Sequence, residues 1–98
     1  MAIIGTFTKQ DNGSFRGTIL NPLFNGKAVI TPIKEKGGDK APDYRVYLGR
    51  YEFGAAWTTE REDGTGSYLS VRLSPQFLPS LSCRLVEMEK EYALIVNN

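Results

Sequence analysis

The sequence of 98 residues contains no histidine and a single cysteine, Cys83. Without histidine, Ser-His-Asp and Cys-His nucleophilic sites and imidazole proton transfer are excluded. A zinc site would depend almost entirely on carboxylates, which proteins rarely use for zinc. A lone cysteine forms no intramolecular disulfide, and its place in an alternating pattern predicts a buried, unreactive thiol. We therefore expect no enzyme, no metal and no cofactor.

Other catalytic motifs are missing as well. The acidic groups at 60–63 and 87–91 lack the spacing of a calcium loop and are typical of solvated hairpin ends. The segment GTGS at 64–67 resembles a phosphate loop, but it lacks the lysine, and a strand rather than a helix follows it. No small-molecule substrate is evident from these patterns.

Long apolar runs and an excess of one charge are also lacking. No run approaches the roughly 18 residues of a membrane span, and the N-terminus does not read as a signal peptide, so we expect a cytoplasmic protein without membrane contact. Twelve basic and eleven acidic residues give a net charge of +1. This balance argues against a strongly electrostatic nucleic-acid binder but leaves a local basic patch open.

What the sequence does contain is a regular series of short alternating segments separated by turn residues, which predicts an all-β protein. We predict one domain over residues 1–98, built as a single small curled antiparallel sheet or barrel of about eight short strands. Asn12-Gly13 predicts the first hairpin, and the SPQFLPS segment at 74–80 predicts a connection with one helical turn. The predicted strands are about 2–8, 14–20, 27–34, 43–49, 51–61, 67–73, 81–88 and 91–96.

Alternation assigns the two faces of these strands. Glycines at 5, 17 and 54 fall inside strands, where they indicate bends or close backbone approach. The predicted inward residues are Ile3, Phe7, Phe15, Ile19, Tyr44, Val46, Leu48, Tyr51, Phe53, Trp57, Leu69, Val71, Leu73, Leu81, Leu85, Tyr92 and Leu94. The candidate partner-binding residues, on the other face or at the Gly49-Arg50 break, are Arg16, Arg45, Tyr47, Arg50, Tyr68, Arg72 and Arg84, with Lys34, Lys36 and Lys40 in a nearby loop.

Several blocks of the sequence, in order, carry a family resemblance. They are MAIIGTFTKQDNGSFRGTI at the start, then KAVITPIK, GDKAPDYRV, EFGAAW and YLSVRL at residues 68–73. The chain resembles the bacterial domain-of-unknown-function family 736 over essentially its full length. The resemblance implies a small cytoplasmic protein of plasmids and integrative elements, found near conjugation genes, with no established activity and no catalytic motif.

Two functional hypotheses follow for a non-catalytic accessory protein of mobile genetic elements. In the first, the protein is a protein-interaction module or self-associates through an edge strand or one face, which its near-neutral charge narrowly favours. In the second, tyrosine and arginine side chains on the outer face bind a single-stranded nucleic acid by stacking and phosphate contact. Outward tyrosines and arginines also occur simply as cross-strand pairs that keep a sheet soluble.

Overall fold

The computed structural model describes residues 3–20, 25–35, 37–64, 66–74 and 80–97. All eight predicted strands are confirmed, with no end more than two residues from the prediction. Lys36 and residues 75–79, which include most of the segment predicted to contain a helical turn, lie outside the described residues. Within the described part of the chain, no helix is long and apolar enough to cross a membrane. The strands are β1 (Ile3–Lys9), β2 (Phe15–Leu20), β3 (Asn25–Pro32), β4 (Tyr44–Leu48), β5 (Tyr51–Glu60), β6 (Ser67–Leu73), β7 (Leu81–Glu87) and β8 (Tyr92–Val96).

The strands form a closed antiparallel barrel in simple sequence order, which confirms the barrel form of the predicted fold. Each strand pairs with the next, and β8 returns to pair with β1. The Asn12-Gly13 hairpin joins β1 to β2, with Gly13 at a φ of 88°. Because every strand has two neighbours, closure leaves the described strands without an edge on which a second copy could pair.

The inward side chains of all eight strands fill the barrel. A barrel of eight strands is just wide enough for its own side chains, and residues such as Ile19, Ile30 and Leu94 are completely buried. Cys83 lies in this core, and burial raises the pKa of its thiol to about 11. The buried apolar set is Ile4, Phe7, Phe15, Ile19, Ala28, Ile30, Val46, Phe53, Ala56, Leu69, Val71, Leu73, Cys83, Leu85, Ala93 and Leu94.

A bulge in β1 overturns one inward assignment. Ile3 pairs with Ile95, whereas Gly5 pairs with Leu94, so Ile4 is an extra residue in the β1–β8 ladder. A bulge of this kind shifts the alternation by one residue. Ile4 is consequently buried, and Ile3 is 58% exposed on the outer face instead of lying in the core as predicted.

Two more inward assignments, Trp57 and Tyr51, are wrong in β5, the first because of a second bulge and the second because a neighbouring strand is missing. Val46 pairs with Gly54 and Tyr47 with Glu52, which leaves Phe53 as the extra residue. Phe53 is buried as predicted, but beyond the bulge the inward positions become Gly54 and Ala56, and Trp57 turns to the outer face. Tyr51 is 75% exposed, because β6 pairs with β5 only from Gly54 onward and leaves Tyr51 with one neighbouring strand.

Glycine at two strand positions allows the close backbone approach expected from the sequence. A Cβ on Gly17 would lie 1.9 Å from the carbonyl oxygen of Thr6, and a Cβ on Gly54 would lie 2.2 Å from that of Arg72. Since real Cβ atoms do not approach so closely, neither position accepts a side chain without backbone movement. Both glycines therefore permit the tight coiling by which this small sheet closes.

Candidate functional site

The charges of the chain are segregated along the barrel. The β1–β2, β3–β4, β5–β6 and β7–β8 connections all lie at one end, which we call the acidic end. The acidic residues in these connections or at the adjoining strand ends are Asp11, Glu35, Asp39, Asp43, Glu60, Glu62, Asp63, Glu87, Glu89 and Glu91. The described basic residues there are fewer: Lys9, Lys34, Lys40, Arg61 and Lys90.

The rest of the described barrel has the opposite balance. Its basic residues are Arg16, Lys27, Arg45, Arg50, Arg72 and Arg84, and its only acidic residue is Glu52. The near-zero net charge therefore comes from two regions of opposite sign. One is the negative acidic end, and the other is the basic outer surface of the strands that carry Arg16, Lys27, Arg45, Arg72 and Arg84, which we call the wall. A polyanion that approaches the wall meets a positive surface, whatever the charge of the whole chain.

Two of the predicted arginines occupy equivalent places on this wall. Arg45 of β4 and Arg72 of β6 both pair with Ala55 of the strand between them. Their neighbours Val46 and Val71 are buried, so both arginines point outward. At the usual strand spacing their Cα atoms lie roughly 10 Å apart, with only the methyl group of Ala55 between them.

The space between these arginines is a surface cavity of about 340 Å³. We call it the arginine groove. Backbone of the β5 bulge forms part of its lining, so that polar main-chain atoms are close to any ligand. Its lining residues are Arg45, Glu52, Phe53, Gly54, Ala55, Trp57, Arg72 and Ser74.

Trp57 forms the aromatic side of the arginine groove, although strand alternation predicted that it would lie in the core. Its indole Nε1 donates a hydrogen bond to the carbonyl oxygen of Lys40 at 3.0 Å, which holds the ring in one orientation. It pairs with Ser70 of β6, whose side chain is also on the outer face. The glycine that follows Phe53 was the sequence signal for this change, since a glycine inside a strand often marks a bulge.

Glu52 supplies the single carboxylate of the groove. Its Oε1 lies 3.5 Å from Nε of Arg45, and both side chains are about half exposed. Exposed ion pairs of this kind contribute little, about 0–1 kcal/mol. A phosphate can therefore replace Glu52 as the partner of Arg45 at small cost.

The other predicted residues of the wall extend this surface on neighbouring strands. Tyr47 lies on β4 and pairs with Val29 and Glu52. Arg84 of β7 pairs with Ser70 of β6, one strand beyond Arg72. Arg16 lies on β2, two strands away from β4 on the other side.

Two predicted residues lie apart from the groove. Arg50 is in the β4–β5 turn at the end opposite the acidic end. Tyr68 lies at the acidic end, where the Arg61 guanidinium carbon is 5.8 Å from its ring centroid. The structure thus brings Arg45 and Arg72 together, places three others nearby on the wall, and separates Arg50 and Tyr68 from them.

The groove offers two guanidinium groups, one oriented indole and main-chain polar atoms. Among the described residues, no group of three or more His, Cys, Asp or Glu side chains is placed to hold a metal ion.

A family model described as "Protein of unknown function (DUF736)" matches residues 3–98. The chain belongs to this family. The match confirms the resemblance read from the sequence and includes every strand of the barrel. No curated protein and no solved structure gives a significant match. Membership of the DUF736 family therefore comes without an assigned activity, and any functional argument depends on the geometry of the barrel.

Proposed function

We propose that this protein is a non-catalytic module that binds single-stranded nucleic acid on its outer wall. The observation that carries the proposal is the placement of Arg45 and Arg72 on either side of Ala55, with Trp57 in the same groove. Bases stack on aromatic rings in single-strand binders while basic side chains follow the phosphates, and each stacked base contributes about 1–3 kcal/mol. The groove combines both elements.

The size of the groove favours a single strand over a duplex. Its volume of about 340 Å³ lies near the lower end of the range for ligand clefts, roughly 300–1,000 Å³. A splayed base fits a recess of this size beside Trp57, whereas the bases of a duplex are stacked and paired and cannot enter it. Arg45 and Arg72 flank the recess and are placed to contact the phosphates on each side of that base.

The distribution of charge supports this proposal over the alternative that the sequence narrowly favoured. The near-zero net charge was the argument for a protein partner. Because most carboxylates lie at the acidic end, that argument does not apply to the wall, where Glu52 is the only described acidic residue. The acidic end would also repel the strand and so restrict its path to the wall.

A protein-interaction module remains the second candidate, and a different surface favours it. Three large apolar residues are exposed at the end opposite the acidic end: Ile3 at 58%, Leu20 at 67% and Tyr51 at 75%. A contiguous exposed apolar patch marks a contact surface for another protein, so these three residues favour this candidate to the extent that they adjoin one another at that end. In either case we propose a cytoplasmic accessory role in plasmids or integrative elements, as the family resemblance implies.

The test is titration of fluorescently labelled single-stranded DNA with the purified protein at several salt concentrations. Saturable binding in the micromolar range is expected, with the logarithm of affinity falling linearly with that of salt concentration. A duplex of the same sequence should bind more weakly at each salt concentration. Absence of saturable, salt-dependent binding would contradict the proposal and leave the apolar end as the leading functional surface.

A further inference from the structure

A second aromatic side chain of the wall, Tyr47, lies on the opposite side of Arg45 from Trp57. Tyr47 follows Arg45 by two residues on β4, in the direction away from the acidic end. Trp57 follows Ala55, the partner of Arg45, by two residues on β5, in the direction of the acidic end. Since Val46 is completely buried, Tyr47 points outward together with Arg45. An aromatic ring, a guanidinium and a second aromatic ring therefore follow one another along the wall.

The neighbours of Tyr47 on the two preceding strands continue the basic surface. Its partner on β3 is Val29, which pairs in turn with Arg16 of β2. Lys27 lies two residues before Val29 and on the same face, because Ala28 between them is buried. Arg16 and Lys27 are both exposed. At the usual strand spacings their Cα atoms lie roughly 7–10 Å from that of Tyr47, within reach of long, flexible side chains.

Few carboxylates oppose an anion on this part of the wall. Residues 12–34, which include β2 and β3, contain no aspartate or glutamate, and neither do residues 44–51. The carboxylate that adjoins Tyr47 is that of Glu52, its cross-strand partner, and this group lies beside Arg45. The immediate surroundings of Tyr47 are therefore positive.

The Tyr47 ring also differs in its contacts from three other tyrosines of the barrel. Tyr44 and Tyr92 pack against Phe15, and an arginine lies over Tyr68. Within the described part of the chain, no ring packs against Tyr47 and no cation lies over it. An aromatic face on the outer side of a basic sheet is the element on which single-strand binders stack bases.

We propose that Tyr47, Arg16 and Lys27 form a second subsite for single-stranded nucleic acid, continuous with the arginine groove. The inference rests on the proposed function and adds the direction of the strand, which runs from Trp57 past Arg45 to Tyr47 and then across β3 to β2. The Tyr47 ring stacks a base beyond the one held in the groove. Arg16 and Lys27 contact the phosphates that follow that base.

The experiment compares two deoxythymidine oligomers. One has about three nucleotides and spans the groove alone, and the other has about ten, within the range of site sizes for small single-strand-binding barrels. Quenching of Trp57 fluorescence follows the short oligomer, and anisotropy of a labelled end follows the long one. Tyr47→Leu should weaken binding of the long oligomer by about 5- to 150-fold, the loss of one stacked base, and leave binding of the short one unchanged. Tyr47→Phe keeps the ring and should bind both oligomers as the unmodified protein does.

Matched variants at the acidic end serve as controls. Tyr68 is half-buried like Tyr47 and also points outward, because Leu69 beside it is buried. Tyr68→Leu should leave both affinities unchanged. Lys27→Gln should make the slope of log affinity against log salt shallower by about 0.7 for the long oligomer only, whereas Lys90→Gln should not change it. Both lysines are exposed, so these variants test the subsite even if Tyr47→Leu fails to fold.

The two oligomers distinguish a failure of this inference from a failure of the proposed function. If Tyr47→Leu and Lys27→Gln bind the long oligomer as the unmodified protein does, the second subsite is overturned while the groove stands. Equal losses in Tyr47→Leu and Tyr68→Leu, or in Lys27→Gln and Lys90→Gln, would also overturn it. If neither oligomer binds, the proposed function fails and this inference fails with it. Thermal melting of each variant checks that the barrel is intact.

Discussion

Arg45 and Arg72 are cross-strand partners of the same residue, Ala55. The two side chains therefore leave the same face of the barrel at one level, separated by two strand spacings. Ala55 is too small to fill the gap between them, so the groove stays open. Cations on both sides of an open recess are suited to a ligand that carries negative charge at regular intervals.

Trp57 should report ligand binding directly, because it is the only tryptophan in the chain. If a base stacks on its indole, single-stranded DNA should quench the intrinsic fluorescence to a saturable limit. An oligomer of abasic sugar-phosphate units offers phosphates but no bases and should quench little. Equal quenching by both would contradict stacking on Trp57.

Replacement of the same ring gives the matching prediction for affinity. Trp57→Leu should weaken binding of single-stranded DNA by about 5- to 150-fold, which corresponds to the loss of one stacked base at about 1–3 kcal/mol. Trp57→Phe retains an aromatic face and should lose less. The equilibrium titration used for the unmodified protein measures both variants, and an unchanged affinity in Trp57→Leu would exclude the indole from the site.

Gly17 should be among the least replaceable residues of the barrel. A methyl group there would meet the Thr6 carbonyl oxygen at 1.9 Å, so Gly17→Ala should lower the free energy of unfolding by at least about 1–3 kcal/mol, the usual cost of overpacking. Urea denaturation measures the change. Gly37→Ala is the matched control, since a Cβ on Gly37 has nothing within 4 Å, and a comparable loss in both variants would show that close approach is not the cause.

Strand positions and the barrel class could be predicted from the sequence because turns and alternation are local properties. In β6, simple alternation correctly placed Leu69, Val71 and Leu73 in the core. It failed for Ile3 and Trp57, because one extra residue in a ladder reverses the faces beyond it. Only the pairing partners reveal which residue is extra.

The candidate site was predictable only in part for a related reason. Arg45 and Arg72 were placed correctly on the outer face, but their shared partner Ala55 follows from the register of three strands, which alternation does not specify. The segregation of charge between the two regions was easier to predict from the sequence. In an up-and-down barrel every second connection lies at the same end, and the acidic residues of this sequence fall in such connections.

The buried thiol of Cys83 predicts a dependence of stability on pH. Its pKa is about 11 in the folded protein against an ordinary value of 9.0, so between these values the unfolded chain loses its proton first. The free energy of unfolding should therefore be unaffected by this group below pH 9 and should fall as pH rises toward 11, by up to about 2–3 kcal/mol. Tyr92, whose pKa is also raised, contributes in the same direction.

Cys83→Ala separates the thiol from other groups that titrate at high pH. Urea denaturation of both proteins from pH 8 to pH 11 should show a shallower decline for the variant. Parallel declines would mean that the thiol does not ionise on unfolding in this range. The same burial should keep Cys83 unreactive toward thiol reagents at neutral pH until the barrel unfolds.

The most direct test of the central claim compares two double variants that remove the same charge from different places. Arg45→Gln/Arg72→Gln removes two cations from the arginine groove, and Lys34→Gln/Lys90→Gln removes two from the acidic end. Titration of labelled single-stranded DNA over a range of salt concentrations measures both. All four altered side chains are exposed, so both variants should fold.

If the wall binds the strand, the arginine variant should lose affinity, and the slope of log affinity against log salt should become shallower by about 1.4, since each phosphate contact on a single strand contributes about 0.7. The lysine variant should keep the slope of the unmodified protein. Equal losses in the two variants, or no loss in the arginine variant, would contradict the assignment of the binding site to the arginine groove.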